Sequence, residues 1–112
     1  MQARRPITEL MDLLGRRWTL RVLWELREDP LRFGELQADE ISTSVLTERL
    51  RELAAAGIVE RRNDGRYALT KQGDELGRLL MPLNDWANSW RRSGLDPRAA
   101  AKSLREPPRG LP

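Results

Sequence analysis

The chain has no cysteine and no histidine among its 112 residues. It therefore cannot form disulfides, use a thiolate or an imidazole in catalysis, or build the usual zinc sites. The sequence also shows no apolar region of the kind found in signal peptides, no run of about 18 apolar residues, no phosphate-binding glycine loop and no cluster of metal ligands. We expect a soluble, cytoplasmic protein without membrane association, metal or cofactor, and we do not expect an enzyme.

Aromatic residues are also few, with four Trp, one Tyr and one Phe, and hydrophobic residues make up 39% of the chain. The length is that of one domain. Such a composition is lean for a monomer of this size. It suits a helical subunit that completes its core by forming a dimer.

The net charge of +3 invites a nucleic-acid function, but its distribution weakens that inference. Four basic residues and one acid in the stretch 98–112 account for all of it: Arg98, Lys102, Arg105, Arg109 and Glu106. The rest of the chain is neutral. The positions of individual arginines must therefore carry the argument.

The spacing of apolar residues predicts four helices in the first half of the chain. They cover 7–14, 17–27, a short segment within 34–39, and a stretch from Ser42 or Thr43 to Gly57, with 31–33 as an extended link. Pro6 suits a first helical turn, and Gly57 suits the left-handed residue after a helix. In the fourth helix, Leu46, Leu50 and Leu53 form the stripe that faces the core.

A hairpin and a long helix follow. The β-prone runs 59–62 and 66–69 flank Asn63, Asp64 and Gly65, and Asp-Gly between such runs indicates a tight turn. Thr70 then caps a long helix, which Pro82 is expected to kink. We assign residues 1–93 to one domain and 94–112 to a basic tail without a stable fold, except for a short helix near 98–104.

This order of elements predicts a mainly α fold with a two-stranded antiparallel hairpin, the layout of a winged helix-turn-helix domain. On a helical wheel, Ser44, Glu48 and Arg51 point away from the leucine stripe, with Thr47 on the shoulder. Arg51 can fork onto a guanine, and Glu48 can accept from cytosine N4. Arg49 lies nearer the core edge, which favours an intramolecular ion pair. The alternative is the plain solvated face of a surface helix.

Two further groups of residues admit two interpretations each. Arg61, Arg62 and Arg66 surround the hairpin tip, where they can follow a minor groove or phosphates, or belong to an ordinary solvated turn. The tryptophans and the leucines of the long helix suit core and dimer packing, with a ligand-binding cavity as the alternative.

Several short motifs carry a resemblance to a known family. They are GRRWT from Gly15, RFGEL from Arg32, LTERLREL from Leu46 and YALTKQG from Tyr67, followed by Pro82 and Trp90. Over residues 6–92 the chain resembles the HxlR-type, MarR-like winged-helix transcriptional regulators. The spacing of the motifs makes this match more specific than a general helix-turn-helix match.

The resemblance implies a small dimeric bacterial regulator that binds double-stranded DNA at a palindromic operator. The capped helix would enter the major groove, the hairpin would be the wing, and the first and last helices would form the dimer interface. Carried onto this chain, the DNA-contacting residues are Ser42, Thr43, Ser44, Thr47, Glu48 and Arg51 as readers, Arg62, Asn63 and Arg66 on the wing, and Arg17 and Arg32 as phosphate clamps. The implied interface residues are Ile7, Leu10, Met11, Leu14, Leu79, Leu83, Trp86 and Trp90.

The chain departs from the family pattern in two places. Many members carry a sensing cysteine just before the proline that matches Pro6, but here that residue is Arg5, which excludes thiol sensing. The wing tip is also short. The sequence thus predicts a homodimeric regulator, more often a repressor than an activator, and leaves a small-molecule effector open. The alternative function is a winged-helix protein-interaction module that does not bind DNA.

Overall fold

A computed structural model describes residues 5–38, 40–94 and 98. Its elements, in order, are α1 (Pro6–Leu14), α2 (Thr19–Glu25), α3 (Phe33–Leu36), α4 (Thr43–Ala55), β1 (Val59–Arg61), β2 (Tyr67–Leu69) and α5 (Lys71–Arg92). The strands form one antiparallel two-stranded sheet. The expected mainly helical fold with a small hairpin is confirmed.

The chain divides into two compact units, Met1–Leu80 and Met81–Pro112. The boundary lies within α5, which continues through Pro82; the expected kink at Pro82 stays a prediction. The predicted basic tail lies outside the described residues except for Gly94 and Arg98. In the described part of the chain, no helix is long and apolar enough to cross a membrane.

The core of the first unit is built mainly from α2 and α4. The predicted leucine stripe is buried, since Leu46 and Leu53 have no exposed surface and Leu50 is only 3% exposed. The other buried apolar residues of the core cluster are Val22, Leu23, Leu26, Leu36, Ile41, Ile58 and Val59. Because one face of α4 is fixed against this core, its opposite face must point outward.

The structure corrects the bounds of the second helix. The apolar pattern predicts a helix over 17–27, but α2 begins only at Thr19. Trp18 has a φ of +76°, which is in the left-handed region and cannot be part of a right-handed helix. The guanidinium carbons of Arg17 and Arg21 lie 4.9 and 5.7 Å from the centre of its ring.

The third helix also differs from the prediction. Phe33, expected in an extended link, is the first residue of α3, and the helix ends at Leu36, inside the predicted segment 34–39. It starts early because the Glu35 carboxylate accepts the Arg32 backbone N–H at 2.9 Å, which caps the helix. Gln37 is extended and stops it.

Leu31 makes a contact that the sequence does not predict. Its N–H donates to the carbonyl of Tyr67 at 2.9 Å, and its carbonyl accepts the Tyr67 N–H at 2.7 Å. The pairing is an isolated antiparallel bridge on the outer side of β2, which pairs with β1 from Val59↔Leu69 to Arg61↔Tyr67. The segment before α3 is thereby joined to the hairpin.

The C-terminus of α4 has the predicted glycine end. Gly57 has a φ of +75°, the Ile58 N–H donates to the carbonyl of Leu53 at 2.9 Å, and the Gly57 N–H donates to that of Ala54 at 3.0 Å. This is the Schellman arrangement, in which two helix-end carbonyls find donors. It turns the chain directly from α4 into β1.

The start of α5 packs on the same turn. Thr70 is the predicted cap, since its Oγ1 accepts the Gly73 N–H at 3.1 Å, and its hydroxyl donates to the carbonyl of Gly57. Gly73 then lies against the backbone of Ile58, so closely that an added Cβ would be 2.0 Å from the Ile58 carbonyl oxygen. Any side chain here would force α5 away from the hairpin.

We predict that Gly73→Ala lowers the free energy of unfolding by about 1–3 kcal/mol, the usual cost of overpacking. Gly34→Ala is the matched control, because an added Cβ at Gly34 meets nothing within 4 Å. This control should be neutral or stabilise by about 0.4–1 kcal/mol. Thermal unfolding at one fixed protein concentration measures both, and equal melting temperatures for the two variants would contradict the close packing at Gly73.

Candidate nucleic-acid interface

The first turn of α4 exposes a group of hydroxyl side chains. Ser42 is the N-cap, and its Oγ accepts the Val45 N–H at 3.2 Å. The same oxygen lies 3.3 Å from Oγ of Ser44. Both serines are exposed. Ser42 therefore has a structural role in starting the helix, and Ser44 has hydrogen-bonding capacity left for a ligand.

The two threonines of this surface are also exposed and hydrogen-bonded. Oγ1 of Thr43 accepts from Nε2 of Gln37 at 3.1 Å. The hydroxyl of Thr47 donates to the carbonyl of Thr43, one turn earlier, at 2.8 Å. Each side chain is held in one orientation by these bonds. Thr43 keeps its hydroxyl proton for an acceptor, and Thr47 keeps oxygen lone pairs for a donor.

Glu48 and Arg51 lie on the outward face of α4, as predicted. Their side chains are 48% and 69% exposed, and Nη1 of Arg51 is 3.0 Å from Oε2 of Glu48. The sequence does not predict that these two candidate readers bind each other. Such an exposed ion pair three residues apart on a helix contributes little to stability.

Arg49 has the structural role expected of it. Its side chain is only 12% exposed, with Nη1 2.9 Å from the Glu52 carboxylate. Its Nε donates to the backbone carbonyl of Arg17 at 2.9 Å, and Glu52 also pairs with Arg16 at 3.1 Å. These contacts fix α4 to the segment before α2. The guanidinium of Arg17, a predicted phosphate clamp, is exposed beside Trp18.

The wing tip is a tight turn, as predicted. The Gly65 N–H donates to the carbonyl of Arg62 at 2.9 Å, and the Arg62 N–H donates to the carbonyl of Arg66 at 2.7 Å. Arg62, Asn63 and Arg66 are all exposed. The Arg62 side chain has no hydrogen bond or ion pair within the described residues, so it is free to contact a phosphate.

Asp64 binds Arg66 twice. Its Oδ1 accepts the Arg66 backbone N–H at 2.9 Å, and its Oδ2 lies 3.1 Å from Nη1 of the same residue. The backbone hydrogen bond is the main cause of a lowered pKa for Asp64. The charge and side-chain bond of Arg66 and the charge of Arg32 lower the pKa further, against desolvation, which raises it. Asp64 therefore keeps its negative charge to a lower pH than an ordinary aspartate does.

Arg32 reaches the wing from the other end of the helix-turn-helix. Its Nη1 donates to the backbone carbonyl of Asp64 at 3.3 Å, a contact between residues 32 positions apart. An added Cβ on Gly65 would be 3.9 Å from Nη1 of Arg32 and 3.9 Å from Nη2 of Arg61. The guanidinium groups of Arg32 and Arg61 therefore both lie beside the wing tip. No local sequence pattern could have shown this.

An open cavity of about 480 Å³ borders the wing. Residues of both charge signs line it: Glu60, Arg61, Arg62, Asn63 and Asp64. The hairpin as a whole is net positive, because four arginines and two acids surround it: Arg32, Arg61, Arg62, Arg66, Glu60 and Asp64. On the exposed face of α4, by contrast, Glu48 offsets Arg51.

The predicted interface residues of α1 and α5 divide into exposed and half-buried groups. In the first unit, Ile7 and Met11 are 58% and 61% exposed, and Leu79 is also exposed, whereas Leu10 is half-buried and Leu14 packs against the core. In the second unit, Leu83 and Trp86 are 56% and 61% exposed. Trp86 stacks on the half-buried Trp90 with ring centres 5.5 Å apart.

A buried leucine stripe, an outward polar face on a capped helix and an adjoining arginine hairpin are the features of a winged helix-turn-helix domain. Comparison with known proteins agrees: residues 13–94 match the model of the HxlR-like helix-turn-helix family. The chain belongs to this family. Its relatives are regulators of transcription and not enzymes.

Individual relatives span most of the chain. The HTH-type transcriptional regulator YvaP of Bacillus subtilis is 34% identical over 71% of this chain and 82% of its own length. The quinone-bound structure of YodB from B. subtilis has a TM-score of 0.68 and 35% identity, covering 77% of this chain and 99% of YodB. A possible HxlR-family factor from Thermoplasma volcanium has a TM-score of 0.68 and 28% identity, with coverage of 80% and 87%.

We predict that Arg66→Gln raises the pKa of Asp64 toward the ordinary value of about 3.9. The pKa should stay below that value, because the backbone N–H of residue 66 remains. Since the folded pKa is lowered, the wing contact stabilises the fold above pH of about 4 and is lost as pH falls through the folded pKa. An NMR titration of the carboxyl carbon measures the shift. The control Arg78→Gln breaks a pair with Asp74 instead and should not change it.

Proposed function

We propose that this regulator acts as a homodimeric repressor that binds a palindromic operator in double-stranded DNA. The observation that carries the proposal is the outward face of α4. It joins a hydroxyl-rich first turn to an exposed Glu48–Arg51 pair, directly opposite a fully buried leucine stripe. In a bacterium such a protein works in the cytoplasm, where the DNA is.

The geometry of α4 supports sequence-specific reading. The major groove of B-DNA, about 12 Å wide, admits one helix. Ser44 and Thr47 present hydroxyls at the start of the helix, where recognition helices contact base edges. Arg51 can make two donor bonds to a guanine, and Glu48 can accept from a cytosine in the same site. Ser42 and Thr43 would orient the helix end toward the phosphates.

The wing supports affinity for the phosphate backbone of DNA. Arg62 is unpaired within the described residues, and Arg32, Asn63 and Arg66 lie around the same tip. Contacts between arginine and phosphate release counterions, so binding should weaken steeply with salt. Arg17, whose backbone carbonyl accepts a hydrogen bond from Arg49 of α4, adds a further exposed guanidinium.

The exposed apolar side chains support a dimer. Ile7 and Met11 on α1, and Leu83 and Trp86 on α5, are each more than half exposed in the single chain. Large apolar patches on a soluble domain commonly mark interaction sites. A second copy that buries them would pair two recognition helices, which suits half-sites about 34–36 Å apart.

A small-molecule effector, if one regulates this protein, cannot act by modifying a cysteine of this chain. YodB has been solved bound to a quinone. This chain contains no cysteine, and electrophiles modify cysteine as the thiolate. A small-molecule signal would therefore have to bind this chain without forming a thiolate adduct.

We predict that Arg51→Ala lowers binding to the selected DNA sequence by roughly 5- to 150-fold, the value of a bidentate guanine contact. Arg62→Gln should weaken binding to all sequences. It should also reduce the slope of log affinity against log salt concentration by about one. Gel shifts with the DNA upstream of the gene, and with duplexes enriched from a random library, measure both. In a transcription assay, a repressor should lower transcription from a promoter that carries the enriched site.

Arg78→Gln is the matched control for these two variants, because it removes the same charge from an exposed site on α5. It should leave binding within about twofold, since it breaks only an exposed ion pair, and such pairs contribute little to stability. If wild-type protein enriches no sequence and binds no duplex at low salt, the proposal fails, and a protein-interaction module becomes the better explanation.

We predict that Leu83→Asp converts the dimer to a monomer, because it places a charge in a buried apolar contact. Light scattering at micromolar concentration should give about twice 12.9 kDa for wild type and 12.9 kDa for the variant. Asn88→Asp, an exposed site on the same helix, should stay dimeric. A wild-type monomer under these conditions would remove the two-half-site mechanism.

A further inference from the structure

Two exposed arginines lie on one half-buried tryptophan at the start of α2. The guanidinium carbons of Arg17 and Arg21 are 4.9 and 5.7 Å from the centre of the Trp18 ring, where a cation is attracted to the face of an aromatic ring. Trp18 packs against the core, which holds its ring in place. The two positive charges therefore stand together on the surface. We call these three residues the flank surface.

Two contacts place the flank surface along one side of α4. Nε of Arg49 donates to the backbone carbonyl of Arg17 at 2.9 Å, which puts Arg17 beside the second turn of the helix. Nη1 of Arg21 lies 4.0 Å from the carboxylate of Glu40, just before the helix cap. Residue 49 is one helical step, about 100°, from the outward Glu48. The flank surface therefore adjoins the outward face of α4.

Both arginines of the flank surface keep donors for an anion. The Arg17 guanidinium forms no ion pair within the described residues. The Arg21 and Glu40 side chains are 49% and 64% exposed, and so exposed a pair contributes little. Glu52, the nearest other acid on this side of α4, already pairs with Arg16 and Arg49. The flank surface is therefore positive where the outward face of α4 is neutral.

A helix in the major groove of DNA has a sugar-phosphate backbone on each side. The groove is about 12 Å wide, and a helix with its side chains is about 10–12 Å across. Residues that adjoin the outward face of such a helix thus come close to one backbone, and the planar donors of arginine match phosphate oxygens. The wing adjoins the opposite end of α2, since Arg62 lines an open cavity with Leu26 and Arg27. The flank surface and the wing would therefore reach different phosphates.

We infer that Arg21 is a further DNA-contacting residue, which together with Arg17 forms a second phosphate-binding surface, beside α4 and separate from the wing. This inference rests on the proposed DNA-binding function. The ligand is the sugar-phosphate backbone of the duplex. Such a surface contributes affinity and fixes the orientation of α4 in the groove, but it does not distinguish one base from another.

The test measures affinity for two duplexes over a range of salt concentrations. One duplex is the sequence that the wild-type protein enriches from a random library, and the other is a scrambled duplex of the same length and composition. Arg17→Gln, Arg21→Gln and the double variant remove positive charge and keep a polar side chain. Arg78→Gln is the control, because it removes the same charge from an exposed ion pair on α5. Thermal unfolding checks that every variant is folded.

We expect each single variant to make the slope of log affinity against log salt concentration shallower by about 0.9, and the double variant by about 1.8, because each arginine would neutralise one phosphate. The affinity lost in a single variant should therefore be about 3.5-fold smaller at about 200 mM salt than at about 50 mM. Both duplexes should weaken by the same factor, within about twofold. The control should keep the wild-type slope.

Ethylation interference on the enriched duplex shows which phosphates are contacted. Ethylation of a phosphate that a variant no longer contacts should cease to weaken binding by that variant. The phosphates that Arg21→Gln releases should differ from those that Arg62→Gln releases, because the flank surface and the wing adjoin opposite ends of α2.

Other outcomes overturn the inference. An unchanged slope for Arg21→Gln would show that Arg21 contacts no phosphate, even though DNA binding itself stands. An equal change in Arg78→Gln would make overall charge the cause. Release of the same phosphates in Arg21→Gln and Arg62→Gln would exclude a separate surface, and a loss confined to the enriched duplex would make Arg21 a reader of bases. Failure of the wild type to bind any duplex at low salt would count against the proposed function, and the inference would fall with it.

Discussion

The close approach of Gly73 to the carbonyl of Ile58 sets the arrangement of α4, the hairpin and the start of α5. α5 can lie on this backbone only because residue 73 has no side chain. Thr70 adds two bonds at the same place, with its N–H on the Ile58 carbonyl and its hydroxyl on that of Gly57. The end of α4, the start of β1 and the start of α5 are thus fixed within a few residues of one another. Gly57 completes the junction, since its positive φ turns α4 into the hairpin without a loop.

This junction has a functional consequence, because it limits how far the wing can move relative to α4. The hairpin leaves α4 through the Gly57 turn and is held on its other side by the Leu31–Tyr67 bridge and by Arg32. Both outer contacts come from the segment that leads into α3. The helix-turn-helix and the wing therefore behave as one body in the first unit. In the proposed complex with one duplex, this rigid pairing would keep the entropic cost of ordering the two elements on binding small.

Much of the fold could be predicted from the sequence, because the leucine stripe of α4, the helix caps, the glycine end and the hairpin turn each depend on neighbouring residues. Local rules failed where tertiary contacts decide the conformation, as at Trp18, whose positive φ a helical pattern does not predict. The candidate site divides in the same way. Helical periodicity places Glu48 and Arg51 on the outward face, but rotamers decide that they bind each other. Nor does periodicity bring Arg32 to Asp64, since that contact joins segments far apart in sequence.

The distribution of charge in this region bears on the proposed binding of DNA by a nearly neutral domain. A strongly basic surface gains affinity from any phosphate backbone and so binds every sequence. Here α4 is neutral on its outward face, and positive charge lies on the wing, where Asp64 offsets part of it. Affinity from the backbone is thereby kept low, so that contacts with the correct bases contribute a larger share of the total. Low affinity for the backbone also leaves less of the protein bound at competing sites, which are numerous in a genome.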